Sequence, residues 1–331
     1  YEVIADELQL VETALARETS SDFPFASDIL ELLDSGKRLR PALLLISYKT
    51  LQNLPTPNPQ PLRCTSIPVN LAVGIELLHI ATLIHDDIVD DGTLRRGVST
   101  LNAKHGSGLS VLMGDHLYSK SISLFVANGN MEALTTIAHT ATQMIQGELT
   151  ERLSNGNMNL SESEYLDIIR NKTASLFSAC CKIGALVGEA SNSYLVSQRL
   201  ISLRLKSLTD YGTYLGIAFQ ITDDLLDVCG TANNLGKYTG SDLKEQKMTL
   251  PLIYAFRNST LSEQNELKLG FQTQNIELLR PIFDKYKAIE YSVGIASEYV
   301  VKAQNSLTAL KDSEFKTALL SLADYVIDRN S

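Results

Sequence analysis

The amino-acid sequence predicts an all-α protein, and three observations point there. Side chains recur at helical spacing over long stretches, as at Leu71, Ile75, Leu78 and Thr82. Nine prolines and 19 glycines in 331 residues leave room for long helices. Five of those prolines fall together between Pro55 and Pro68. Leu, Ala, Ser and Ile dominate, and the alternation of β-branched residues that marks strands is scarce. A hydrophobic fraction of 44% is enough for a large core.

Taken in order, Glu2–Arg17 reads as an amphipathic helix with Val3, Leu8, Val11 and Leu15 on one side. Phe23–Phe25 interrupts it, and a short helix follows at Ala26–Leu33. Ser35–Pro41 reads SGKRLRP: Gly36 ends one element and Pro41 sits near the start of the next. Lys37, Arg38 and Arg40 therefore cluster near a helix N-terminus. An anion bound there is favoured by both the dipole and the charges; the alternative is a plain surface patch. Leu51–Pro68 is the clearest loop.

The next helix, from Ile67, runs into LIHDDIVDDGTLRRG at Leu83–Gly97. Asp86, Asp87, Asp90 and Asp91 crowd six positions, with Arg95 and Arg96 close behind. If the helix continues, Asp86 and Asp90 share a face one turn apart, where like charges repel and call for a positive partner. Hard oxygen ligands suit Mg²⁺, and an arginine pair suits phosphate oxygens; a solvated acidic helix end is the bland alternative. His79 lies about two turns below Asp86 on the same face, as a core histidine or a ligand contact.

Gly97–Gly108 reads as a looser segment, followed by helices at Leu109–Ala127 and Met131–Leu153. Another starts after Ser161, with Glu164 at the capping-box position, and runs through Lys172 and Thr173 to Ala190. Lys172 lies in a small, apolar run, so it either snorkels or meets a buried anion. A helix from Val196 ends in FQITDDLLD, Phe219–Asp227, where Asp223, Asp224 and Asp227 repeat the earlier pattern. Two such triads ending two apolar helices are hard to explain by solubility, and read as two walls of one metal-filled cavity. Gly230–Thr249 is glycine- and lysine-rich and reads as a lid, with Lys237 and Lys247 able to reach phosphates. Helices at Pro251–Arg257, Ser262–Leu269, Ile276–Leu310 with breaks, and Phe315–Asp328 carry no cluster of chemistry-bearing residues.

A net charge of −9 argues against nucleic acid, whose binding surfaces are basic. It also implies that anionic substrates would need divalent cations to bind. Of Cys64, Cys180, Cys181 and Cys229, the adjacent pair reads as buried small apolar residues, with no metal-ligand spacing and no disulfide framework. No apolar run reaches the length of a membrane span, because Glu76 and Lys182 break the two candidates. No signal peptide is evident, and the start at Tyr1 leaves the true N-terminus open. A soluble cytoplasmic protein is expected.

The chain resembles the trans-isoprenyl diphosphate synthases, or polyprenyl synthetases, over nearly its whole length. The resemblance rests on GKRLRP at Gly36–Pro41, HDDIVDDGTLRRG at His85–Gly97 and GD at Gly114–Asp115, in that order. It continues through KT at Lys172–Thr173, FQITDDLLD at Phe219–Asp227 and GKYTGSDLKEQKMTLP at Gly236–Pro251. It implies the isoprenoid synthase fold: a single all-α domain over residues 1–331, with long helices around a deep central cavity. That overrules the prior of about two domains that length alone suggests. A homodimer is implied, with a heterodimer containing a small regulatory subunit as the alternative.

The resemblance also implies a chemistry. An allylic diphosphate, farnesyl or geranylgeranyl, would be held by Mg²⁺, three ions per site, through Asp86, Asp87, Asp90 and Asp223, with Asp227 in support. Arg95, Lys172, Lys237 and Lys247 would neutralise remaining charge. Isopentenyl diphosphate would sit among Lys37, Arg40, His79 and Arg96. Ionisation gives an allylic cation lined by Thr173 and Gln220, the isopentenyl double bond attacks it, and a proton leaves. The one departure is Gln246, where the family usually has glycine.

Product length is set in such enzymes below the first aspartate motif. Ala81 and Thr82 are small, so a floor is expected deeper, at Leu78 or Phe125. A medium- to long-chain product, hexaprenyl to octaprenyl, is expected, as for a quinone side chain delivered to a membrane. Geranylgeranyl diphosphate is the alternative. A terpene cyclase would not need Lys37, Arg40 and Arg96, and intact triads speak against a non-catalytic prenyl-diphosphate-binding subunit.

Overall fold

The computed structural model describes residues 1–20, 25–34, 36–52, 66–95, 97–190, 197–229 and 240–328. Helices dominate: α1 (Ala5–Ser20), α2 (Ala26–Asp34), α3 (Leu39–Gln52) and α4 (Ser66–Val89) come first. A hairpin of two-residue strands follows, β1 (Leu94–Arg95) antiparallel to β2 (Val98–Ser99). Then come α5 (Leu101–His105), α6 (Ser107–Asn128), α7 (Met131–Ser154) and α8 (Glu162–Ile169). A π-helical turn at Arg170–Ala174 joins α8 to α9 (Ser175–Ala190). After α10 (Gln198–Cys229) the chain continues in α11 (Ser241–Lys244), α12 (Leu250–Asn258) and α13 (Leu261–Gln272). It closes with α14 (Ile276–Tyr286), α15 (Ala288–Ser306) and α16 (Glu314–Asp328).

These residues cluster into two compact units. The first holds Tyr1–Ala138, Cys180–Leu205 and Ser313–Ala318. Its centre is α4, which packs against α1, α3 and α6. Leu71, Ala72, Val73, Ile75, Leu77 and Leu78 on α4 are all buried, so the helix is apolar around its whole circumference. That corrects the reading that no stretch could span a membrane. Ile67–Val89 is long and apolar enough, with a mean hydropathy of 1.8 over its most apolar 18-residue window, but 72% of that window is buried inside the protein. Glu76 does not break the run, because Arg38 satisfies it within the core. The loop before α4 is also shorter than expected at its C-terminal end. The helix starts at Ser66, and Pro68 sits in the first turn, where a missing N–H costs nothing. Gly97–Gly108 is more ordered than expected, since Thr100 caps α5 through the Ala103 N–H. Cys180 and Cys181 are buried, as read.

The second unit holds His139–Ala179, Lys206–Asp312 and Leu319–Ser331. Ser161 and Glu164 form the capping box that starts α8. The helix then widens into its π turn where Lys172 and Thr173 stand, a distortion that often marks functional positions. Ile217, Ile221 and Leu225 of α10 are buried in one core with Leu250, Ile253, Phe271 and Phe283. That core holds the end of α10, and with it the second aspartate cluster, in place.

Candidate active site

In the first unit α4 ends at Val89, but the helical bonding pattern continues one step: the Asp90 N–H bonds the Asp86 carbonyl at 2.8 Å. Asp86 and Asp90 thus occupy successive turns, both half-buried. Asp91 then turns left-handed, at φ 49°, and the Gly92 N–H closes on the Asp87 carbonyl at 2.9 Å. The β1–β2 hairpin folds back from there. Arg95 donates Nε and Nη2 to one oxygen of buried Asp87, at 2.9 and 2.8 Å. Arg95, expected to meet phosphate, is therefore engaged with Asp87. Arg96 lies outside the described residues.

The basic stretch that precedes α3 divides its labour. Lys37 is exposed, and Arg40 places Nη1 2.9 Å from His79 Nε2. A guanidinium only donates, so Nε2 accepts and His79 is the neutral Nδ1–H tautomer. Arg38 is instead buried, donating to Glu12 of α1 and Glu76 of α4. Burial pushes the Glu76 carboxyl up, and the nearby Arg38 and Arg40 pull against that rise.

In the second unit the aspartates again differ. Asp223 is exposed. Asp224 is buried and accepts from the Tyr165 hydroxyl at 2.6 Å and from Gln220 Nε2 at 2.7 Å. Burial raises its carboxyl to about 7 against the pull of those two donors, with Asp223 and Glu151 adding to the rise. Gln220 in turn accepts from the Thr173 hydroxyl at 2.7 Å, so the two residues expected to line the cation's path form one chain of bonds. Asp227 accepts from Ser241 N and Oγ, at 3.2 and 2.7 Å, and from Asp242 N at 3.0 Å.

Lys172 meets anions, though half-buried ones: it bonds Glu151, and Glu148 at 2.6 Å. Lys247 pairs with Glu245 at 2.6 Å and lies 3.8 Å from Asp242 and 3.9 Å from Glu151. Burial works against both ammonium groups, yet the carboxylates, Glu151 foremost, hold both above the ordinary lysine range. A cavity of about 60 Å³ adjoins Lys172, Gln220, Asp224, Asp242 and Lys247. Lys237, with residues 230–239 of the expected lid, lies outside the described residues. Gln246 stands at φ 55°, the left-handed region, and its carbonyl accepts from the Gly156 N–H at 2.9 Å. Glycine adopts that backbone without strain, a physical reason for the glycine that the resemblance leads one to expect here.

The donor chemistry suits a hard divalent cation. Asp86 and Asp90 offer carboxylate oxygens from adjacent turns, and Asp223 offers another at an exposed position. Among the described residues no three His, Cys, Asp or Glu side chains converge into a ready cage. Mg²⁺ needs none, since it commonly binds through one or two carboxylates together with substrate phosphates.

Residues 26–285 match the polyprenyl synthetase family. The chain belongs to that family. It is a trans-prenyltransferase with the all-α isoprenoid synthase fold. It is 31% identical over 330 residues to octaprenyl diphosphate synthase from Haemophilus influenzae, covering 98% of this chain and 94% of that one. It is 33% identical to heptaprenyl diphosphate synthase component 2 from Geobacillus stearothermophilus, covering 100% and 98%. Its fold is similar to polyprenyl synthase from Caulobacter crescentus, solved with calcium and isoprenyl diphosphate. For that pair the TM-score is 0.86 at 29% identity, over 100% and 97% of the chains.

Sequence reasoning missed the partners in this polyprenyl synthetase: Tyr165 on Asp224, Glu148 and Glu151 on Lys172, and Glu12 and Glu76 on Arg38. A signal existed for two of them. A lone glutamate in an apolar helix and a lone lysine in another each announce a buried counter-ion, without saying which.

Proposed function

We propose that this enzyme condenses isopentenyl diphosphate with an allylic diphosphate, lengthening an all-trans prenyl chain by one unit per cycle. The observation that carries the reading is the division within each aspartate cluster. Asp86 and Asp90 stand on successive turns at the end of α4 and Asp223 is exposed near the end of α10, while Asp87 is bonded by Arg95, Asp224 by Tyr165 and Gln220, and Asp227 by the start of α11. In this reading Asp86, Asp90 and Asp223 hold the Mg²⁺ ions, and Asp87 and Asp227 support the two clusters. The calcium in the similar Caulobacter structure supports a divalent ion here. When bound, the ions neutralise the allylic diphosphate and stabilise it as it departs. Lys172, Lys247, Lys237 and Arg95 supply further positive charge. Gln220 and Thr173, tied to Asp224, present fixed dipoles to the developing cation. Lys37, Arg40, His79 and Arg96 bind isopentenyl diphosphate.

The octaprenyl and heptaprenyl relatives support a product of six to eight units. One observation favours the shorter alternative. The Phe125 ring, itself buried, packs over Gly74 so closely that a Cβ there would sit 2.9 Å from it. Gly74 lies twelve residues before Asp86, about 18 Å along the helix. At roughly one unit per turn that depth stops the chain near geranylgeranyl. Leu78 and Ala81 are already buried, while Thr82 bonds the His79 carbonyl at 2.7 Å.

We take the enzyme to be a cytoplasmic homodimer that acts as one domain. Exposed Leu112 and Val126 on α6 support an apolar contact face. The component 2 relative supports a second reading, with a partner subunit. The test uses the purified chain with Mg²⁺, labelled isopentenyl diphosphate and farnesyl diphosphate, with products resolved by length. Incorporation ending at four, or at six to eight, fixes the floor. Asp86→Ala or Asp223→Ala should cut turnover by at least about a hundred-fold, the scale of removing a key electrostatic group. Near-normal turnover in either would sink the metal assignment, and no turnover by the parent chain alone would favour the partner subunit.

A further inference from the structure

We propose that Arg38 is the positioning residue of the basic stretch: engaged by Glu12 and Glu76, it holds Lys37 and Arg40 in the arrangement that receives isopentenyl diphosphate. The inference rests on the proposed role of Lys37, Arg40 and His79 and assigns the one cation of that stretch left without a function. Three cations in four positions look interchangeable in sequence, but the structure separates them. Arg38 is only 8% exposed, while Lys37 is exposed and Arg40 reaches His79.

The Arg38 guanidinium is a planar fork, and each edge is occupied. Nε and Nη2 bond the two oxygens of Glu12 at 2.6 and 3.1 Å, and Nη1 bonds Glu76 at 3.3 Å. A fork bonded in this way by two carboxylates does not offer a bidentate edge to phosphate. The backbone tells the same story. Arg38 has φ 51°, a left-handed conformation that is unfavourable for an L-residue and persists where its surroundings enforce it. The side chain supplies that enforcement. Gly36 is closed down on it, since a Cβ there would collide with Arg38 Nη1.

Glu76 completes the device. It stands on α4 three residues before His79, and it attracts Arg40 as well as Arg38. One buried carboxylate therefore ties the conformation of the stretch to the helix that carries both His79 and Asp86. If the anchor is released, the left-handed residue relaxes and the spacing between Lys37 and Arg40 changes.

The test is steady-state kinetics of the full chain, with near-ultraviolet circular dichroism to follow the fold. Arg38→Lys should raise KM for isopentenyl diphosphate about ten-fold, leaving kcat and KM for the allylic substrate within about two-fold, a pure binding effect. Glu12→Gln changes a half-exposed partner. It should act in the same direction more weakly, and it serves if Arg38→Lys does not fold. In a background that lacks both positioned cations, Lys37→Ala with Arg40→Ala, Arg38→Lys should add less than about two-fold, because it acts through the missing residues. Full multiplication of the two effects would instead make Arg38 a phosphate ligand and overturn the proposal. So would an unchanged KM in Arg38→Lys and Glu12→Gln, or an equal loss in kcat and both KM values. If Lys37→Ala and Arg40→Ala themselves leave KM unchanged, the pocket assignment falls and this inference falls with it.

Discussion

Removing one hydroxyl from Tyr165 probes the second aspartate cluster most directly. Tyr165 is 4% exposed and donates to Asp224, itself buried, at 2.6 Å. Tyr165→Phe keeps the ring and leaves a buried carboxylate oxygen without its donor. A hydrogen bond to a charged group contributes about 1.5–3 kcal/mol, so a loss of about 2 kcal/mol is expected. For a cooperative unit of roughly 150–250 residues, that is about 4–8 °C in melting temperature. The assay is thermal unfolding at pH 8, above the value of about 7 to which burial raises Asp224, so that the acceptor is ionised. Tyr286→Phe is the control. Its hydroxyl donates to Glu263, a half-buried acceptor that keeps its bonds from Lys285 and Thr260, so its loss should shift melting less. Asp224 also accepts from Gln220, which accepts from Thr173, the two residues proposed to face the developing cation. Tyr165→Phe should therefore lower kcat more than it raises KM for isopentenyl diphosphate. A melting temperature within 1–2 °C of the parent at pH 8, the scale of less than about 1 kcal/mol, would refute the claim that this bond secures the cluster.

Phe125→Ala should lengthen the product by one or more units and Ala81→Phe should shorten it, both read by product separation; unchanged spectra would remove these residues from the channel. Gln246→Gly should be neutral or stabilising by up to about 1 kcal/mol, whereas Gln246→Ile should cost about 1–2 kcal/mol, because a β-branched residue resists a positive φ. Equal melting of the two variants would show that the φ of 55° is not what constrains the position. Chelation with EDTA should abolish binding of the allylic diphosphate but spare isopentenyl diphosphate, measured separately by equilibrium dialysis; loss of both together would contradict separate sites.

The helices were legible because their apolar spacing is local information, and so were the motifs, whose residues lie within a few positions of one another. The capping box at Ser161 and Glu164 is legible for the same reason. What escaped is what the chain brings together from afar. Tyr165 and Asp224 are 59 positions apart, Arg38 and Glu76 are 38 apart, and Lys172 and Glu151 are 21 apart. Nothing in the immediate sequence of Asp224 says that it is buried while Asp223, its neighbour, is exposed. On a helix, adjacent positions point about 100° apart, so one can enter the core and the other face solvent. Local spacing alone therefore does not separate Asp223 from Asp224, and only the packing of α10 divides them. The membrane reading of α4 went astray for a related reason: a charge inside an apolar helix disqualifies it only if that charge lacks a partner, and Glu76 has Arg38.

The balance of charge around Lys172 and Lys247 bears on how such a site handles a diphosphate. Those two cations stand among Glu148, Glu151, Asp224, Asp242 and Glu245. Burial raises both Asp224 and Asp242, which shows how poorly this region tolerates its own negative charge. A diphosphate brought there without cations would meet more repulsion than attraction. Divalent ions reverse that sign locally, and a lysine drawn from a glutamate to a phosphate exchanges one anionic partner for another at little electrostatic cost. The stretch at Lys37 is the opposite case. Glu12 and Glu76 are matched to Arg38 there, and with Lys37 and Arg40 the cations of the stretch outnumber its carboxylates. We therefore expect diphosphate binding to depend on metal at the acidic site and not at the basic one, because carboxylates outnumber cations at the first and cations outnumber carboxylates at the second.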